Sequence, residues 1–174
     1  MQKHALTLAT ALLGVGLITA CGSSKTTAPA KITYIANLSG ANERPNSNTS
    51  TAQGKWTGVL DPSTNIMTYT LTYSGLSAAG SGAHIHAQAD ANGTASVVLN
   101  FATFPGATTA FANGSTSGTA AGTVNMASAA TPPSFTISGD SLRKAMDAGM
   151  AYVNVHSTGT FGAGEIRGQI VRQQ

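Results

Sequence analysis

Residues 66–74 read Ile66-Met67-Thr68-Tyr69-Thr70-Leu71-Thr72-Tyr73-Ser74. Met67, Tyr69, Leu71 and Tyr73 alternate with Thr68, Thr70 and Thr72, which is the period of a strand with one buried face. Upstream, Gln53 to Leu60 alternates too and holds the chain's one tryptophan, Trp56. Asp61-Pro62-Ser63-Thr64-Asn65 lies between the two runs. Asp, Pro, Ser and Asn are turn formers, so the pair predicts an antiparallel hairpin.

Similar runs flank this hairpin. Lys31 to Leu38 predicts a first strand, with Ile32, Tyr34, Ala36 and Leu38 on one side. Ser39 to Thr51 is a polar loop containing Asn42-Glu43-Arg44-Pro45. Downstream, a strand over Ala83 to Ala87 lies between the loop Ala78 to Gly82 and the turn Asp90 to Gly93. Thr94 to Phe101 predicts a further strand. Ala102 to Gly122 is poor in pattern and reads as a long loop, with a strand running from about Ala120 to Met126. A loop over Ala127 to Ser134 leads to a short strand, Phe135 to Ile137. One short helix is expected at Ser141 to Ala148, with Asp140 as N-cap, Leu142, Ala145 and Met146 as its apolar stripe, and Gly149 past its end. Strands over Met150 to His156 and Glu165 to Arg172 close the chain. Seven or more short strands with one helix predict an all-β domain, a sandwich or barrel.

Composition narrows the class. The 174 residues suit one domain, and only 9% of them are charged. Low charge with alternating apolar strands indicates a folded β domain rather than a disordered chain. The formal charge of +3 is spread without a Lys/Arg cluster, so no nucleic acid partner is expected.

The first residues read as an address. Met1 to His4 is short and basic, and Ala5 to Ala20 is uncharged around Leu12 to Ile18. This is the shape of a secretory signal peptide over residues 1–20. Leu17-Ile18-Thr19-Ala20-Cys21 resembles a bacterial lipobox, which implies lipidation of Cys21, the chain's one cysteine. Residues 21–31 then form a flexible tether, and 32–174 the domain. The resemblance implies a membrane partner through the lipid anchor and a place in the cell envelope. With Gly22 after the cysteine, it points to the outer membrane if the host is Gram-negative.

Function concentrates in Ala83-His84-Ile85-His86-Ala87. Residues i and i+2 share a strand face about 7 Å apart, so both imidazoles oppose Ile85. The one other histidine beyond the first few residues is His156, in Tyr152-Val153-Asn154-Val155-His156. There Val153 and Val155 alternate with Tyr152, Asn154 and His156. In Glu165-Ile166-Arg167-Gly168-Gln169-Ile170, the isoleucines face inward and Glu165, Arg167 and Gln169 outward. The expectation is a polar site on the outside of a sheet.

Four segments in this order resemble the CHRD domain, a module named from chordin and frequent in bacterial secreted proteins. They are Leu38-Ser39-Gly40-Ala41-Asn42-Glu43-Arg44-Pro45, Ala83-His84-Ile85-His86, Tyr152-Val153-Asn154-Val155-His156 and Gly164-Glu165-Ile166-Arg167-Gly168-Gln169-Ile170. The family often has proline where Asn46 stands and glycine where Ala87 stands. The arrangement also looks like the antiparallel Greek-key fold of copper,zinc superoxide dismutase, an analogy of fold alone. That enzyme uses more histidines than the three of this domain, so a full dismutase site is not expected. Chordin's role as a growth-factor antagonist is not carried over to a bacterial lipoprotein.

Three readings of the residues stay open. The first is a binding protein that holds a metal, copper or zinc, or else a small ligand on His84, His86 and His156, with Glu165 or Glu43 as a fourth metal ligand and Asn154 or Glu165 orienting a ring. The second is an envelope structural or protein-interaction module whose polar cluster, Glu165 and Arg167 included, stabilises the sheet without metal. The third is a redox enzyme with a single copper. No nucleophile elbow, phosphate loop or paired-carboxylate motif is present, which favours binding over catalysis. No protein partner is named by the sequence.

Overall fold

The computed structural model describes residues 27–127 and 136–174. The signal peptide, Cys21 and most of the tether lie outside the described residues, as does most of the loop expected at Ala127 to Ser134.

The hairpin forms as the alternation requires. Strands β2 (Gln53–Asp61) and β3 (Ile66–Ser74) pair antiparallel from Gln53↔Ser74 to Asp61↔Ile66. The Asp61 carboxylate accepts the Ser63 N–H at 2.9 Å, and Asn65 takes the left-handed conformation, φ 56°, that asparagine tolerates. Met67, Tyr69, Leu71 and Tyr73 are buried and the threonines between them exposed.

The other strands are β1 (Ile32–Ser39), β4 (Gly80–Ala87), β5 (Val97–Asn100), β6 (Ala107–Thr109), β7 (Gly118–Asn125), β8 (Ala151–Ser157), β9 (Ile166–Gln169) and β10 (Val171–Arg172). They form one antiparallel sheet in the order β5-β4-β8-β9-β1-β2-β3-β7-β6, with β10 on β1. The all-β antiparallel expectation holds, as a single curled sheet, a half-barrel, with one short helix.

Chain length requires the curl. β3 and β4 lie five steps apart in the sheet yet are joined by residues 75–79 alone. In a flat sheet five steps span about 24 Å, whereas the connecting peptides reach at most about 21 Å. The concave side holds the core, where the Tyr69 ring lies 5.2 Å from Phe101 and 6.4 Å from Phe104.

Several boundaries differ from the sequence reading, each for a physical reason. β4 begins at Gly80 rather than Ala83, because Gly80 and Gly82 already pair with Ser157 and His156 of β8 across a bulge. β5 omits Thr94 to Ser96, since the polar groups of Ala95 are taken by the Tyr152 hydroxyl and the His86 ring. The stretch read as a long loop contains β6 and the start of β7. It is anchored by Phe104 and Phe111, and the Phe111 ring stacks on Tyr73 at 4.9 Å. Thr136 and Ile137 form a bend, not a strand. The last run breaks at Ile170, so β9 pairs with β8 and β10 with β1.

The helix α1 (Gly139–Asp147) starts earlier than expected, capped by Ser138 instead of Asp140. The Ser138 hydroxyl accepts the Ser141 N–H at 3.2 Å. Asp140 sits in the first turn, where it favours the helix dipole and pairs with Lys144 at 2.8 Å. Leu142, Ala145 and Met146 are buried, and Gly149 ends the helix at φ 67°.

Candidate metal centre

Strand pairing brings the three histidines together. β4 and β8 are neighbours in the register Gly82↔His156, His84↔Asn154 and His86↔Tyr152. Ile85 pairs with Val153 on the opposite face, and both are fully buried in the core. His84 and His86 therefore point away from the core, as does His156. Gly82 adds the space that the pair of rings needs: a Cβ there would come within 3.2 Å of the His84 ring. The His84 ring centroid lies 5.0 Å from that of His156 and 5.7 Å from that of His86.

One ring nitrogen of each histidine lies within 4.8 Å of one from each of the others. Three nitrogens on a tetrahedral zinc would be about 3.3 Å apart, given metal–nitrogen bonds of about 2.0–2.1 Å.

Hydrogen bonds fix which nitrogens are free. His86 Nδ1 lies 2.8 Å from the Ala95 carbonyl, which can only accept, so Nδ1 carries the proton and Nε2 the lone pair. His86 Nε2 is 3.0 Å from Asn154 Oδ1, so in this tautomer two acceptors face each other unless the amide turns its NH2 to the ring or a cation lies between them. His156 Nδ1 donates to the Gly162 carbonyl at 3.2 Å, which leaves Nε2 as its lone pair. His156 Nε2 and His84 Nδ1 are both buried and have no hydrogen-bond partner among the described residues.

The surroundings keep all three rings neutral. Burial, reinforced by His156 and His86, pushes the His84 pKa down to about 4. Burial lowers His86 as well, against the hydrogen bonds at Ala95 and Asn154. His156 is lowered by burial against its bond to Gly162. Neutral imidazole is the form that ligates metal.

The other candidates take separate parts. Asn154 is buried, directly across from His84, and two residues from His156 along β8. Glu165 is fully buried and spent on serines. It accepts from the Ser50 hydroxyl at 2.6 Å, the Ser77 N–H at 2.7 Å and the Ser157 hydroxyl. Burial acts to raise its pKa, but these bonds outweigh it and hold the carboxyl below its ordinary value. Arg167 is 1% exposed. Its guanidinium carbon lies 3.5 Å from the centre of the Tyr152 ring, and it donates to the carbonyls of Gly93 and Asp90. The Tyr152 ring in turn stacks on His86 at 4.7 Å. Glu43 is 4% exposed, lies against Gly164, and has its pKa raised to about 7 by burial, against the pull of Arg167. Neither carboxylate belongs to the histidine group.

Glu165, just before β9, and Arg167 within it do point away from the core, but not toward solvent, because the loops at 40–52, 75–79 and 88–96 cover them. Sequence reasoning passed over Gly82, Ala95, Tyr152 and Gly162 as parts of the centre. Gly82 shares the parity of His84, and Tyr152 that of His156, so those two were open to the same argument. The carbonyls of Ala95 and Gly162 carry no sequence signal.

No curated protein matches the chain. The CHRD domain profile matches residues 34–170, which takes in most of β1, all of β2 through β9, all three histidines, Glu43, Glu165 and Arg167. Spanning most of the sequence, that match shows that the chain belongs to the CHRD domain family.

Proposed function

We propose that this chain is a metal-binding module that holds one copper or zinc ion on His84, His86 and His156. One observation carries the reading: two ring nitrogens, His84 Nδ1 and His156 Nε2, are buried without a partner beside a third imidazole. A buried polar atom left unpaired costs about 1–3 kcal/mol, and an ion would satisfy both at once. Three neutral imidazoles suit zinc and copper, and a coordination position stays open. Asn154 lies beside that position and would supply its amide oxygen or hold a water there. The carbonyls of Ala95 and Gly162 fix the tautomers from behind, and the stack on Tyr152 fixes the plane of His86. The domain is proposed to work at the cell envelope, held there by a lipid on Cys21.

Untagged protein offered zinc or copper should carry one ion per chain by elemental analysis, and His84→Ala with His86→Ala should reduce this to background. Unchanged stoichiometry in the double variant would overturn the proposal. A metal-free polar cluster is the second reading, favoured by the serine bonds that satisfy Glu165 without any ion. It predicts a lower melting temperature in the same variant and no ion in either protein. It leaves the two orphaned nitrogens unexplained.

A further inference from the structure

A second polar recess opens over β9, on the far side of Tyr152 from His86. It is a cavity of about 110 Å³ lined by Asn42, Arg44, Ala91, Arg167 and Gln169. Two arginines line it, and among the described residues neither makes an ion pair. The four ion pairs found among the described residues all run to Asp140 or Asp147. Arg44 donates only to the backbone carbonyls of Ala41 and Glu43. Arg167 donates to two carbonyls and, at 3.4 Å, to the Gln169 side chain. Each guanidinium has five N–H donors in a planar fork, so both keep donors to spare. Arg167 is buried against a ring and neutral carbonyls, and although Glu43 and Asp90 act on it electrostatically, neither carboxylate comes within ion-pair distance of it. The Glu43 carboxyl is near but makes no ion pair with either arginine, and burial holds it toward its protonated form.

We propose that this cleft binds the carboxylate of a small organic acid, clamped between Arg44 and Arg167. The volume decides the size of the headgroup. At about 30 Å³ per water, the cavity has room for about four water-sized groups, enough for a carboxylate and its first carbon. Half-exposed Arg44 forms the rim and Arg167 the floor. Planar bidentate pairing to a carboxylate is what guanidinium geometry favours. The site does not depend on the metal reading.

The test uses the wild-type chain stripped of metal with phenanthroline, so that no ion can take the acid. Acetate is titrated while the arginine Nε–H resonances are followed by NMR. The expected result is a saturable shift at Arg44 and Arg167, weakened at least tenfold in Arg44→Gln, a change at a half-exposed loop position that leaves the core untouched. An acetylated dipeptide and its C-terminal amide then separate sources: binding of the acid form alone supports a chain terminus as the natural ligand, and binding of acetate alone supports a free acid. No saturable shift, an equal response to chloride, or an undiminished response in Arg44→Gln would each overturn the proposal.

Discussion

Lowering the pH tests the histidine centre more sharply than any single substitution, because its rings are held neutral by their surroundings. Metal must displace protons from its ligands, so affinity falls with pH according to the ligands' pKa values. For three ordinary imidazoles, each titrating near 6.5, going from pH 7.5 to 5.5 would cost about tenfold per ring, or about a thousandfold in all. His84, with its pKa at about 4, contributes almost nothing to that loss. His86 and His156 are also lowered, so each contributes less than tenfold. The whole loss should therefore stay under about a hundredfold. Competition against a chromogenic zinc chelator, corrected for the chelator's own protonation, measures it at pH 7.5, 6.5 and 5.5. A thousandfold loss would mean that the rings titrate as free imidazoles, and the argument from their burial would fail. Stability carries a matching sign. The unfolded chain takes up protons near pH 6.5 while the folded rings resist, so these groups stabilise the metal-free fold above that pH. Their contribution is lost as the pH falls through the unfolded value toward the folded ones.

Two further predictions separate the scaffold and the anchor from the site. Glu165→Ala leaves the Ser77 N–H and two hydroxyls without their acceptor and should lower stability by roughly 3–5 kcal/mol in urea denaturation. Metal content should be unchanged, and a proportional loss of metal would place Glu165 in the centre after all. The Glu165 carboxyl is held below its ordinary value, so its contribution is present above the unfolded pKa of about 4.5 and fades as the pH falls through the folded value. Cys21→Ser should move the protein from the membrane fraction to the soluble one; a serine variant that still sediments with membranes would refute lipid anchoring.

How much was legible in the sequence depended on whether the signal was periodic. Ile66–Ser74 alternates without interruption, and its bounds are those expected. The opposition of Ile85 to His84 and His86 follows from the same period and is what the strand shows. Partners across the sheet were harder to reach. That His156 lands beside His84 depends on β8 entering between β4 and β9, which no local pattern encodes. Segment 102–122 reads as loop because small residues hide alternation. Only its spaced aromatics, Phe104 and Phe111, mark it as ordered. Arg167 and Glu165 were read as outward-facing, correctly as to strand face and wrongly as to solvent. Parity says which side of a sheet a residue takes but not whether a loop lies over it.

The brief connection over residues 75–79 acts on the domain as a string acts on a bow. Shorter than the flat span it would have to cover, it holds the sheet bent around its own interior. Lengthening it by several residues would slacken that bend and let the two wings of the sheet spread, even with every ladder register intact. Curvature here is written partly in how few residues separate Ser74 from Gly80, not only in the side chains that fill the hollow.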